Sequence, residues 1–168
     1  MILERYVPRS QIGVYSIGYQ IASAVMLFAT AASNSITPLI GRIDCRDHSE
    51  MAKLASTITY YTTANIGMAL CVALLGTDFI RLCTPVSYHA AIAFQPWVVL
   101  GNLCMGLYIP FANVLSLVVG SPWRLTLCTT SSAILSVGLN FWLIPKYGAI
   151  AAAVTTAITY FTMLVSVF

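Results

Sequence analysis

Five stretches of this chain contain no Asp, Glu, Lys or Arg, and each is long enough to cross a lipid bilayer. The uncharged intervals run from Arg9 to Arg42, Lys53 to Asp78, Arg81 to Arg124, Arg124 to Lys146 and Lys146 to Phe168. A spanning helix needs about 20 residues, rising about 1.5 Å each, to cross about 30 Å of hydrocarbon. Lipid offers no water to backbone amides, so each interval must satisfy its own hydrogen bonds, and a helix does this within one segment. Only 8% of the residues are charged against 59% hydrophobic, and the mean hydropathy is +0.86. A soluble domain carries about 25% charged residues, so this chain cannot cover a soluble surface. The pattern implies an all-α polytopic membrane helix bundle of about five transmembrane helices, one transmembrane domain over residues 1–168, and excludes a soluble fold.

The spans predicted from these intervals are about 11–40, 53–77, 90–119, 122–143 and 148–167. The third interval is long enough for two tight spans. However, Cys83-Thr84-Pro85-Val86-Ser87-Tyr88-His89 is rich in turn formers. It reads as a loop before one long helix, which Pro96 and Pro110 should kink. The first helix should break near Pro38, Gly120-Ser121-Pro122 should separate the third and fourth, and Pro145-Lys146-Tyr147-Gly148 should form the last turn. Trp97, Trp123, Trp142, Tyr147 and Tyr88 fall near span ends, as an aromatic belt requires.

Charge does not orient the bundle. Arg42, Arg46, Lys53 and Arg124 fall on one side, with the densest cluster in the predicted 41–53 loop; Arg5, Arg9, Arg81 and Lys146 fall on the other. A cleaved leader is disfavoured, because the apolar run after Arg9 exceeds the usual length, is interrupted by Tyr15, Tyr19 and Gln20, and precedes four further spans. The net charge of +3 is dispersed, with no Lys/Arg block for nucleic acid.

Most chemical motifs are missing. There is no G-x-x-x-x-G-K-[ST] loop for nucleotide hydrolysis and no other cofactor motif. Cys45, Cys71, Cys83, Cys104 and Cys128 are widely spaced, and neither His48 nor His89 has a metal-ligand partner at helical spacing, so no metal site is expected. Asp78 and Arg81, three residues apart near a helix end, read as an interfacial pair or, alternatively, as an ion-coupling carboxylate beside a cation. Uncharged amides are more plentiful: Gln20, Asn34, Asn65, Gln95, Asn102, Asn113 and Asn140. An amide in lipid must find a partner, so these residues either join helices or line a polar path. Runs such as Ala22-Ser23-Ala24 and Ala149 to Ala153 permit close helix approach.

Two segments carry a family resemblance. Asn140-Phe141-Trp142-Leu143-Ile144-Pro145-Lys146-Tyr147-Gly148, followed by Ala151-Ala152-Ala153-Val154-Thr155-Thr156, resembles the LN-x-x-LIP-x-YG-x-x-GAA-x-AT signature of bacterial polysaccharide transporters. These are the oligosaccharide flippases of the multidrug/oligosaccharidyl-lipid/polysaccharide exporter superfamily. Gly13-Val14-Tyr15-Ser16-Ile17-Gly18-Tyr19-Gln20-Ile21-Ala22 is similar to the family's VG-x-YS-x-AYKIA helix opening, and Asn34 to Pro38 fits that helix's end. Gln20 departs from a frequent Lys, Ser136 from a frequent Asn and Ala151 from a usual Gly.

The resemblance implies a two-lobe transporter in the bacterial inner membrane, with this chain as the last five helices of the second lobe and an N-terminal lobe missing. Met1 to Val7 would then be the tail of a preceding helix, and the Arg42 and Arg124 turns would face the cytoplasm. It further implies flipping of an undecaprenyl-diphosphate-linked oligosaccharide by alternating access among membrane lipids, as in O-antigen, capsule or other polysaccharide synthesis. Substrate-path candidates are then Arg81, Arg124, Gln20, Asn34, Asn102 and Asn140, with Pro96 and Pro110 as pivots. Three alternatives stay open. A drug/cation antiporter of the superfamily would want a buried carboxylate; a truncated, non-transporting remnant is the second; a glycan-assembly enzyme would need larger loops than these.

Overall fold

The computed structural model describes residues 9–43 and 47–167, with side chains from Gly13 onward. The expected tail of a preceding helix, together with Arg5, Cys45 and Arg46, lies outside the described residues. Five long helices and one short 3₁₀ segment make up the structure, with no strand among the described residues: α1 (Arg9–Ile40), α2 (His48–Cys83), the 3₁₀ segment Val86–Ala93, α3 (Gln95–Leu117), α4 (Pro122–Tyr147) and α5 (Ala149–Ser166). All five helices are long and apolar enough to span a membrane. The chain is a multi-pass membrane protein.

Helix α2 is longer than its uncharged interval suggested, extending from His48 rather than 53 to Cys83 rather than 77. At its start Asp47 acts as N-cap, its carboxylate accepting from the Ser49 amide at 2.8 Å. Lys53 therefore belongs to α2, and the predicted 41–53 loop shrinks to 41–47. Thirty-six residues make a helix of about 54 Å, so both ends of α2 project past the hydrocarbon.

The third interval holds a single span, but α3 begins at Gln95, not at 90. Pro96 sits in its first turn, where the missing N–H costs nothing. A helix running from 90 through 96 would instead have required that N–H to bond the Ile92 carbonyl. Pro96 therefore starts α3 rather than kinking it, whereas Pro110 lies inside the helix as expected. Pro38 and Pro145 also lie inside helices, within the last turns of α1 and α4. The predicted four-residue turn contracts to Gly148, which ends α4 and starts α5 with φ of +63°, a left-handed backbone that glycine adopts without strain.

The hairpins alternate direction. Tyr61 meets Ala29, so α2 runs antiparallel to α1; Asn102 meets Ala22 and Asn113 meets Ser33, so α3 runs parallel to α1. Gly101 packs against Ala157, which places α5 beside α3, and α4 closes back on α5. Half of the most apolar window of α3 is buried, against 11% in α4, so α3 is the hub and α4 the rim. Small residues dominate the two core clusters: Ala22, Val25, Ala69, Val98, Val99 and Ala153 form one, and Ala149, Ala151 and Ala152 with the larger Phe94 and Ile144 form the other. Several outward hydroxyls bond their own helices, as Thr57 does to the Lys53 carbonyl and Thr162 to the Ile158 carbonyl, which satisfies these donors without water.

Candidate functional site: a polar seam and an outward groove

The α1–α2–α3 seam begins with a proline. Pro110 has no N–H, so the Gly106 carbonyl, four residues back, has no helical partner. Pro110 is fully buried, and water cannot replace that partner. The Tyr61 hydroxyl supplies the bond at 2.8 Å, and lies 3.1 Å from the Ala29 carbonyl as well. Gly106 permits the close approach: a Cβ there would stand 2.9 Å from the Ala29 Cβ and collide with the Asn65 amide. Asn65 is completely buried, and both of its amide atoms lack a hydrogen-bond partner among the described residues.

Three more amides stitch the same helices. Asn102, 3% exposed, donates to the Ala22 carbonyl at 2.9 Å. Asn113 donates to the Thr37 hydroxyl at 2.9 Å and to the Ser33 hydroxyl at 3.2 Å. Gln95, fully buried at the start of α3, donates to the Val72 carbonyl at 2.7 Å and occupies the space left by Gly76.

The candidates named from sequence do not converge on one site. Asn102 joins α3 to α1 inside the bundle. Asn34 is exposed, and half-buried Asn140 reaches only Ser136 on its own helix, at 3.4 Å. Arg81 ends α2 and Arg124 begins α4, at opposite ends of the bundle, and both are exposed. Asp78 and Arg81 do not form the expected pair: both side chains are exposed and make no ion pair or hydrogen bond among the described residues. Pro96 is exposed at the start of α3, while Pro110 is buried and held by Tyr61.

Gln20 is the candidate that reaches open space. It lines a groove of about 690 Å³ between α1 and α2, with Ile21, Met68, Leu75, Asp78 and Phe79. The bundle ends carry the remaining charge. On the Arg81 side Lys146 places its Nζ 4.8 Å from the Trp142 ring centroid, a cation–π contact suited to a span end. Trp123, Trp142 and Tyr147 are exposed there and at the opposite end, where aromatic anchors belong. On the other side Asp47 lies outside the spans, and the amide of Ser49 holds its carboxyl below the usual carboxylate range. No group of three or more His, Cys, Asp or Glu side chains is placed to hold a metal among the described residues.

Tyr61 was not singled out in the sequence, where it reads as one more aromatic. The available signal was Pro110, because a proline inside a spanning helix requires a donor for the carbonyl four residues before it. Comparison of the chain with protein-family models, curated proteins and solved structures gives no match. The likeness to polysaccharide transporters therefore rests on the motif residues alone.

Proposed function

We propose that this chain forms part of a membrane transporter that moves a lipid-linked oligosaccharide from one leaflet to the other, in the bacterial inner membrane. The observation that carries the reading is the placement of the signature-like residues. Asn140 to Gly148 closes α4 on the left-handed Gly148, and Ala151, Ala152 and Ala153 then pack α5 into the core. A glycine at that turn and small residues after it are what this geometry requires, so the motif-like pattern has a structural role here.

Two further features support the reading. The links between spans are short, the longest being 84–94 with its 3₁₀ segment, which leaves no extramembrane domain among the described residues of the kind a glycan-assembly enzyme would need. Arg81 and Arg124 stand at opposite ends of the bundle. They cannot hold one diphosphate together, but they suit contacts on the two sides that a flipped head group visits in turn. A charged, hydrated head group cannot cross hydrocarbon unaided. Alternating access lets it cross in a polar cavity, and that cavity would need a second lobe facing this one.

The test is reconstitution in vesicles with a fluorescent undecaprenyl-diphosphate oligosaccharide, alone and together with a separately expressed N-terminal lobe. Access of a membrane-impermeant quencher reports movement between leaflets. Faster exchange than in protein-free vesicles, slowed by Arg81→Gln or Arg124→Gln, is expected. An unchanged rate in both preparations refutes the transport reading.

A further inference from the structure

The groove between α1 and α2 has the length and the charges of a single lipid. Its α2 wall is an apolar stripe at helical spacing, Met68, Leu75, Phe79 and Leu82, faced by Ile21 and Ala24 of α1. From Met68 to Leu82 the helix rises about 21 Å, half of the roughly 40–45 Å that a bilayer measures with its headgroups. The stripe therefore covers one leaflet. Its level is fixed by α3, which begins at Gln95 beside Val72 and Gly76. Residues beyond Gly76 thus stand past the start of the hub helix, the level that suits a headgroup.

At that height are Asp78, which lines the groove, and Arg81, three residues further along on its flank. One carboxylate and one guanidinium stand exposed within a turn of each other, without bonding each other or any described residue. Gln20 enters the groove from α1, its backbone about 12 Å deeper than that of Asp78 by the antiparallel register of Ala29 with Tyr61.

We propose that this groove binds a phosphatidylethanolamine, with the ammonium on Asp78, the phosphate on Arg81 and an acyl chain along the Met68–Phe79 stripe. A guanidinium is the side chain best shaped for two parallel bonds to phosphate oxygens. A primary ammonium offers three donors to a carboxylate, whereas a choline head offers none. A glycerol head leaves Asp78 without a cation and adds net negative charge beside it. The Gln20 amide, deeper in the groove, is a donor for the acyl-ester carbonyls. Every polar group lining the groove thereby meets a complementary atom, and the site stands whether or not the chain moves a lipid-linked sugar.

The experiment is native mass spectrometry of the full 168-residue chain, stripped of lipid in a nonionic detergent. Phosphatidylethanolamine, phosphatidylcholine and phosphatidylglycerol with identical acyl chains are titrated in separately. The wild-type chain should retain phosphatidylethanolamine about fivefold more tightly than either other lipid, the ratio expected of one exposed charge contact. Asp78→Asn should erase most of that preference, Arg81→Gln should weaken all three lipids alike by removing the phosphate contact they share, Leu75→Trp should weaken all three by filling the groove, and Arg42→Gln, at the far end, should change nothing. Equal retention of the three lipids by the wild-type chain overturns the proposal, and this arm requires no variant to fold. A dimer that excludes lipid and is broken by Leu75→Trp overturns it in favour of a second copy of the chain.

Discussion

Replacing Tyr61 with Phe removes a single oxygen, yet it should leave the Gly106 carbonyl without a partner in the centre of the bundle. In soluble proteins a buried group orphaned in this way costs about 1–3 kcal/mol. Between membrane helices hydrogen bonds average about 0.6 kcal/mol and reach about 1.7. Gly106 belongs near the upper end, because Pro110 prevents its own helix from supplying a substitute donor. Tyr61→Phe should therefore destabilise the protein by about 1–1.5 kcal/mol. The Ala29 carbonyl, which the hydroxyl also approaches, lies inside α1 with the Ser33 amide as its helical partner and loses little. The decisive measurement is a double-mutant cycle. Pro110→Ala returns an N–H four residues after Gly106, so in that background Tyr61→Phe should cost close to nothing. Unfolding in mixed micelles by denaturing detergent, followed by circular dichroism, gives the four free energies. Equal costs in the two backgrounds would refute the account, since they would mean that Gly106 never depended on Tyr61.

Glycine replacements should sort by what faces them. Gly106→Ala meets the Ala29 Cβ and the Asn65 amide, and Gly76→Ala meets the buried Gln95 amide, so each should cost about 1–3 kcal/mol in the same unfolding assay. Gly67→Ala and Gly138→Ala meet nothing within 4 Å and should be neutral, or stabilising by up to about 1 kcal/mol through helix propensity. The Asp47 cap should titrate, and the sign follows from its lowered pKa. The cap's contribution is complete above the unfolded carboxylate value of about 3.9 and is lost as pH falls through the lower folded value. The Ser49 amide chemical shift should report a midpoint below about 3.9, and Asp47→Asn should keep the cap while abolishing the titration.

The five spans were legible because charge is excluded from hydrocarbon, and a gap in charge is visible without any knowledge of packing. Their ends were less legible. Capped by Asp47, α2 starts at His48, five residues before Lys53, and Arg81 lies inside its last turn, because a helix end outside the hydrocarbon tolerates charge freely. Pro96 misled for a related reason: a proline kinks a helix interior but is well suited to a first turn, and the sequence does not say which applies. Buried amides were recognisable as a class. Their partners were not, since Asn102 bonds a backbone carbonyl 80 residues away that only the fold brings close. Arg81 and Arg124 looked equivalent as isolated cations, and the helix directions alone separate them to opposite ends.

The two halves of the bundle are joined by different forces, which bears on where the domain can move. Helices α1, α2 and α3 are tied by directional bonds from Tyr61, Gln95, Asn102 and Asn113, each lost if a helix slides by an ångström or two. The α3–α5 contact rests on packing, with Gly101 against Ala157 and Val98 and Val99 near Ala153. Contacts between small residues are non-directional, and one alanine or glycine can replace another as the helices shift. The buried Thr155 hydroxyl on α5 already lacks a partner among the described residues and has no bond there to lose. Helix α4, on the rim, turns Ile134, Phe141 and Trp142 outward and follows α5 through the single residue Gly148. The least costly relative motion in this domain is therefore of the α4–α5 hairpin against a rigid α1–α3 unit. On the proposed alternating-access reading, a pivot would belong at that boundary rather than at Pro110, because Tyr61 holds the Gly106 carbonyl that Pro110 frees.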